Sequence, residues 1–230
     1  MQQNEVFEEI KEFHRERLDK LRINETPKPC YEGGKIVLHL IPKDSFLDQY
    51  KFDISALPRE AVDLLTPFYS EGLAFSRSYN FNGLLNFILA KDKKCISYVQ
   101  LYRNGTIEAV DAFYLTREEK NIPIYRIEQE IILKADLYLQ LQKGMGINPP
   151  IICFLALLGA KGYEITDDSI RISLEIHPFD EEDLVLPKIV IENLDEDLKK
   201  IFKTSFDRIW NACGYPRSFQ YNEKGKFEPR

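Results

Sequence analysis

The chain has 230 residues, with 31 lysines and arginines against 37 aspartates and glutamates, for a formal net charge of −6. That length suffices to bury a core in one large domain, and the negative balance excludes a whole-surface basic footprint for nucleic acid. No apolar run approaches the ~20 residues of a membrane span, the acidic, amphipathic N-terminus is unlike a signal peptide, and the four cysteines are far apart with no CxxC pair, which argues against zinc and for reduced thiols in a cytoplasmic protein.

The spacing of Phe7, Ile10, His14, Leu18 and Leu21 predicts an amphipathic helix over residues 4–23. Arg15, Arg17, Lys20, Arg22 and Lys28 make the densest basic cluster. It is either a nucleic-acid contact or a solvated helix face. His14 lies on the apolar stripe, as a packed histidine or a general base. Pro27 and Pro29 end the helix. Gly33-Gly34 reads as a turn, because no phosphate-loop pattern surrounds it. The strand KIVLHLI (35–41) follows, with Val37 and His39 alternating with Ile36, Leu38 and Leu40, and Pro42 closes it. Residues 44–67 are irregular, with a helical piece near 58–65. Asn80-Phe81-Asn82-Gly83 marks a turn before a strand at 84–89, and 91–94 turns again.

Residues 95–115 then read as a hairpin about Asn104-Gly105, the signature of a two-residue type I′ turn. That turn pairs Arg103 with Thr106, Tyr102 with Ile107 and Cys95 with Tyr114. One face then carries Ile96, Tyr98, Gln100 and Tyr102 beside Ile107, Ala109, Asp111 and Phe113. The other carries Ser97, Val99, Leu101 and Arg103 beside Thr106, Glu108, Val110 and Ala112. Neither face is polar, so the hairpin belongs at the centre of its sheet. Arg103 and Glu108 form a diagonal ion pair in this register. Asp111, grouped with Tyr98, Gln100 and Tyr102, is either the floor of a polar pocket or part of a satisfied buried network.

Asn121-Ile122-Pro123 breaks the sheet before a helix at 125–143, with Ile127, Ile131, Ala135 and Tyr138 on its buried face. Gly144 and Gly146 stop it. The run IICFLALL (151–158) is a buried central strand. Residues 163–165 and 170–176 continue the sheet. The acidic run 180–183 lacks the alternation and glycine of a calcium loop, and reads as a solvated turn. A short strand at 187–192 precedes a helix capped by Asp195 and running to about Cys213. The aromatic tail, 215–230, docks on the domain or on a partner.

There is no G-x-S-x-G, HExxH, P-loop or dinucleotide motif, and His14, His39 and His177 have no evident nucleophile. No cofactor or metal is implied. FHRERLDKLRINETP (13–27), GGKIVLHLIP (33–42), NFNGLL (80–85), SYVQLYRNGTIEAVDA (97–112) and FDRIWNACGYPRS (206–218) resemble the region that follows a Schlafen-type, AlbA-like DNA-binding domain in bacterial and archaeal proteins. The AlbA-like domain itself would lie before Met1, so the resemblance implies a fragment or stand-alone relative. It carries over no site residues.

The expected architecture is α+β: a mixed, largely antiparallel sheet with a central β-hairpin, flanked by three main helices. The expected divisions are an N-terminal amphipathic helix (1–28), an α+β domain (29–214) and an aromatic C-terminal tail (215–230). The expected function is a non-catalytic interaction or regulatory module of a nucleic-acid-acting system, with a protein partner or self-association and no membrane. One alternative is a carboxylate hydrolase or nuclease, using either Asp111 or Glu108, since alternation puts the two on opposite faces. Another is direct nucleic-acid binding through Arg15, Arg17, Lys20 and Arg22.

Overall fold

The alternation in KIVLHLIP and the unbroken apolar run IICFLALL have one explanation in common: two strands side by side, covered on both faces. The computed structural model describes residues 2–47, 51–70, 73–116, 118–165 and 177–229. In chain order its elements are α1 (Gln2–Arg22), β1 (Lys35–Pro42), α2 (Arg59–Asp63), β2 (Ser76–Asn80), β3 (Gly83–Leu89), β4 (Cys95–Tyr102), β5 (Ile107–Asp111), β6 (Asn121–Ile122), α3 (Ile124–Gly144), β7 (Ile151–Leu158), β8 (Glu164–Ile165), β9 (Leu184–Val185), β10 (Ile189–Ile191) and α4 (Leu198–Asn211). The main sheet is antiparallel, in the order β10-β7-β1-β5-β4-β3-β2, with β9 also on β7. The fold is thus α+β, with an eight-stranded sheet and three main helices, and the β4–β5 hairpin beside β1 at its centre.

The helices form two layers. α1 covers one face. Ile10, Leu18 and Leu21 meet Val37, Ile41, Tyr98, Val110, Ile152 and Leu158 there. Full burial of each such side chain contributes about 1.5–3 kcal/mol. α3 and α4 cover the other face, on Ile36, Leu38, Leu40, Val99, Leu101, Leu155 and Leu157. Their seam is closed by Glu128, which accepts from Trp210 Nε1 at 2.6 Å and from Ser218 Oγ at 2.8 Å. Ser218 belongs to the tail, which docks on its own domain: Tyr221 donates to Lys199 O at 2.6 Å, and Tyr215 to Ile165 O at 3.2 Å.

The structure corrects the hairpin register. Ser97 pairs with Asp111, Val99 with Ala109 and Leu101 with Ile107, one residue away from the two-residue-turn alignment. Tyr102 N–H donates to Thr106 O at 2.8 Å and Gly105 N–H to Tyr102 O at 2.9 Å. Gly105 has φ +80°, while Asn104 is not in the positive-φ region. This is a three-residue loop: a type I turn with glycine at the left-handed bulge position. Asn104 serves through its side chain, which accepts from Thr106 N–H at 3.1 Å. A one-residue slip moves every β5 side chain to the other face. Glu108 therefore joins Tyr98 and Gln100 on the α1 side, and Asp111 goes to the α3 side. The expected Arg103–Glu108 pair does not form.

Other expectations shift less. An edge strand, β2, extends the expected three-stranded meander to four. Residues 164–165 leave the main sheet and pair in parallel with β6, while 170–176 lie outside the described residues. The α4 cap is Asp197, accepting from Lys199 N–H at 3.1 Å. Asp195 instead binds Lys143 at 2.7 Å.

Candidate functional site

Glu108 is a carboxylate in the middle of the apolar run IEAV, and the corrected register aims it at α1. It has no exposed surface. Arg17, in the C-terminal half of α1, reaches it with a two-pronged contact, Nε to Oε2 at 2.7 Å and Nη2 to Oε1 at 2.8 Å. Tyr98 donates to Oε1 at 2.9 Å, and His39, on β1, lies 3.0 Å from Oε2 through Nε2. His39 Nδ1 is 2.8 Å from His14 Nδ1. One helix and three neighbouring strands thus meet in a single polar network.

The proton positions follow from the acceptors. An ionised carboxylate only accepts, so His39 Nε2 donates to Glu108. A single hydrogen bridges His39 Nδ1 and His14 Nδ1. The Nε2 of His14 is buried and has no partner, and its ring stacks on Phe154 with centroids 4.1 Å apart. Burial, then the nearby His39 and Arg22, lower the His14 pKa to about 3, so this ring is neutral. Burial alone would raise the Glu108 pKa. The bonds from His39 and Arg17 and the Arg17 charge outweigh it and hold Glu108 at about 2. The chain Glu108–His39–His14 has the geometry of a carboxylate-oriented imidazole relay, but its terminal nitrogen is buried without a partner. Its chemistry is to fix α1 on the sheet.

The other sequence candidates disperse. Arg15 pairs with Glu12, Lys20 lies 3.7 Å from Glu25, and Arg22 binds Asp19 and Asp183, each at 2.6 Å. Arg17 points inward, so the four do not make one surface. Asp111 is buried on the α3 side. Its Oδ1 accepts from Phe113 N–H at 3.0 Å and Tyr114 N–H at 2.8 Å, and its Oδ2 has no partner. Burial, only partly opposed by those two bonds, raises its pKa to about 7. It lies with Glu130 and Tyr114 around a gap too small to hold a water molecule. Glu108 and Asp111 are on opposite faces, as alternation requires. Among the described residues no group of three or more His, Cys, Asp or Glu side chains is placed to hold a metal ion, and no helix is long and apolar enough to cross a membrane.

No family model, curated protein or solved structure matches the chain.

A surface feature completes the site description. The β2–β3 turn presents Phe81 at 94% exposure, with Tyr79 at 57% and Leu47 at 37% also exposed. The turn is held firmly: Gly83 N–H donates to Asn80 Oδ1 at 2.9 Å, Arg103 N–H to Asn82 O at 3.0 Å, and Arg103 Nε to Phe81 O at 3.2 Å. Beside it runs a groove of about 370 Å³ lined by Phe46, Leu47, Lys51, Phe81, Tyr102 and Arg103. The turn is legible in the sequence; the exposure of Phe81 on it is not. The only local signal is a phenylalanine between two asparagines in a turn. For Glu108 the signal was a lone charge inside an apolar strand, which marks a buried paired group.

Proposed function

We propose that the chain is a non-catalytic interaction module that binds a protein partner through the Phe81 turn. The setting is a nucleic-acid-acting system of the kind the Schlafen-associated resemblance implies. The observation that carries this reading is the 94% exposure of Phe81 on a turn pinned by one hydrogen bond within it and two from Arg103. A rigid aromatic anchor beside a groove is the usual kernel of a binding hot spot, since little conformational freedom is lost when it is covered. The use of Arg17, His39 and Tyr98 to hold Glu108 supports the same reading, because those groups secure the scaffold behind the turn.

The test has two arms. A photo-cross-linking residue at position 81, introduced in the source cells, identifies the partner. Titration of the purified pair then compares the natural chain with Phe81→Ser. Loss of at least about tenfold in affinity is expected, with unfolding unchanged within about 0.5 kcal/mol. In the second arm, nucleic-acid and nucleotide substrates are incubated with the chain and divalent metal ions. Turnover that disappears in a folded Asp111→Asn variant would overturn the proposal.

A further inference from the structure

Cys30 and Cys95, far apart in sequence, are brought together by the fold. Cys30 lies in the loop between α1 and β1, and Cys95 opens β4. The two are partners in a parallel β-bridge, and Cys95 N–H donates to Pro29 O at 2.7 Å. Neighbouring strands lie about 4.8 Å apart, inside the Cα span a disulfide takes. Both thiols are free and buried, and the two side chains interact directly. Each sulfur also lies near a carbonyl, Cys30 Sγ at 3.3 Å from Lys28 O and Cys95 Sγ at 3.2 Å from Ser97 O.

The surroundings are asymmetric. Lys35 is buried and donates to Gly33 O at 3.2 Å; burial lowers its pKa, opposed by the nearby Cys30 and Glu32. A buried ammonium favours an anion beside it. The neighbouring Cys95 thiol draws the Cys30 thiol below its usual range, against burial, with further help from Thr26 and Lys35 and opposition from Asp111. The Cys30 thiol, with burial, pushes Cys95 up. Cys153 and Cys213 are pushed up by burial alone or chiefly so, Cys213 to about 12. Cys30 is buried, at 3% exposure against 0% for Cys95, but lies in an irregular loop between exposed Pro29 and half-buried Tyr31.

We propose that Cys30 and Cys95 are a peroxide-reactive dithiol, with Cys30 the attacking thiolate, Cys95 the resolving thiol and a hydroperoxide the oxidant. The Cys30 sulfur attacks one peroxide oxygen. The O–O bond breaks, and the other oxygen leaves with a proton as water or an alcohol. Cys30 is then a sulfenic acid. The Cys95 sulfur attacks it, a disulfide forms, and the sulfenic oxygen leaves as water with the Cys95 proton. The peroxide is reduced by two electrons and the two thiols are oxidised by the same two. The product ties the loop after α1 covalently to β4. The proposal does not depend on partner binding at Phe81.

The experiment uses the reduced full chain, exposed to hydrogen peroxide, quenched with a thiol-alkylating reagent at intervals and mapped as non-reduced peptides. A linked Cys30–Cys95 peptide is expected, reversible by dithiothreitol. It should form at least about tenfold faster than any change at Cys153 or Cys213. In Cys95→Ser, a sulfenic acid trapped at Cys30 by dimedone is expected. If that variant does not fold, the unsubstituted chain decides the matter alone. Equal reaction of all four thiols, no reaction, or oxidation of Cys30 without the internal link would each overturn the proposal.

Discussion

Glu108→Gln removes the anion that Arg17, His39 and Tyr98 all address. Glutamine keeps the shape but offers one oxygen and an amide group to three donors. Its NH₂ must therefore face a donor, and the Arg17 guanidinium loses its counter-ion in a site where only 15% of that side chain is exposed. Two routes give the magnitude. A carboxyl drawn from its ordinary 4.5 to about 2 contributes about 3 kcal/mol at neutral pH. Breaking one side of a buried ion pair costs about 3–5 kcal/mol. The partial exposure of Arg17 favours the lower end, about 3 kcal/mol. Urea unfolding at pH 7, followed by circular dichroism, should show that loss with an unchanged slope.

The pH dependence supplies a second readout. The Glu108 pKa is depressed in the folded chain, so its contribution is complete above about pH 5 and is lost as pH falls from 4.5 towards 2. The natural chain should therefore lose its advantage over Glu108→Gln across that window. A cost under about 1 kcal/mol at pH 7, the size of an exposed pair, or parallel acid limbs for the two proteins, would refute the reasoning.

Glu128 gives the opposite sign. Burial, only partly offset by the bonds from Ser218 and Trp210, raises its pKa to about 8. The folded chain then holds a proton that the unfolded chain releases near 4.5. Stability is full below 4.5 and declines as pH rises towards 8. Glu128→Gln should match the natural chain near pH 4 and exceed it by about 1–3 kcal/mol at pH 9; identical pH profiles in thermal melts would reject this. At the hairpin, a Cβ on Gly105 would meet Ile147 Cδ1 at 2.5 Å and Phe52 Cε2 at 3.1 Å, at φ +80°. Gly105→Ala should cost about 1–3 kcal/mol, whereas Asn104→Ala loses chiefly one side-chain bond, about 1 kcal/mol. Equal costs at the two positions would contradict the three-residue loop.

The helical stripe of α1, the continuous run of β7 and the Gly-stopped α3 were legible because local periodicity and burial agree there. The hairpin was legible as a hairpin and misread in register. Asn-Gly fits both a two-residue type I′ turn and the last two positions of a three-residue loop, and the local signal does not separate them. The neighbours do: Arg103 O accepts from Phe52 N–H at 2.7 Å, and Arg103 N–H donates to Asn82 O, which holds that residue in the loop. That single residue decided whether Asp111 or Glu108 faced α1. The remaining features depend on long-range pairs, Arg17 with Glu108 and Cys30 with Cys95, for which no spacing rule exists. Strand β2, SRSYN, is an edge whose outer face is solvated, so it lacks the apolar alternation that identifies an inner strand.

Why α1 is held by charge as well as by apolar contact follows from its stripe. Ile10, Leu18 and Leu21 are similar in size, and Phe7 and Phe13 flank them half-buried, so a rotated or axially shifted helix would bury nearly the same area. Area alone discriminates poorly between such alternatives. The two-pronged contact of Arg17 with Glu108 exists in one placement, and any other leaves a buried anion without its partner. The Arg17→Met/Glu108→Leu double variant separates the two contributions. Replacing the pair with apolar side chains should return stability to within about 2 kcal/mol of the natural chain, so the two single losses should not add. Amide hydrogen exchange in α1 should nonetheless be faster than in the natural chain, because the helix then samples more than one placement. If α1 in the stable double variant exchanges as slowly as in the natural chain, apolar packing alone sets the placement of the helix, and the charge network has no part in specifying it.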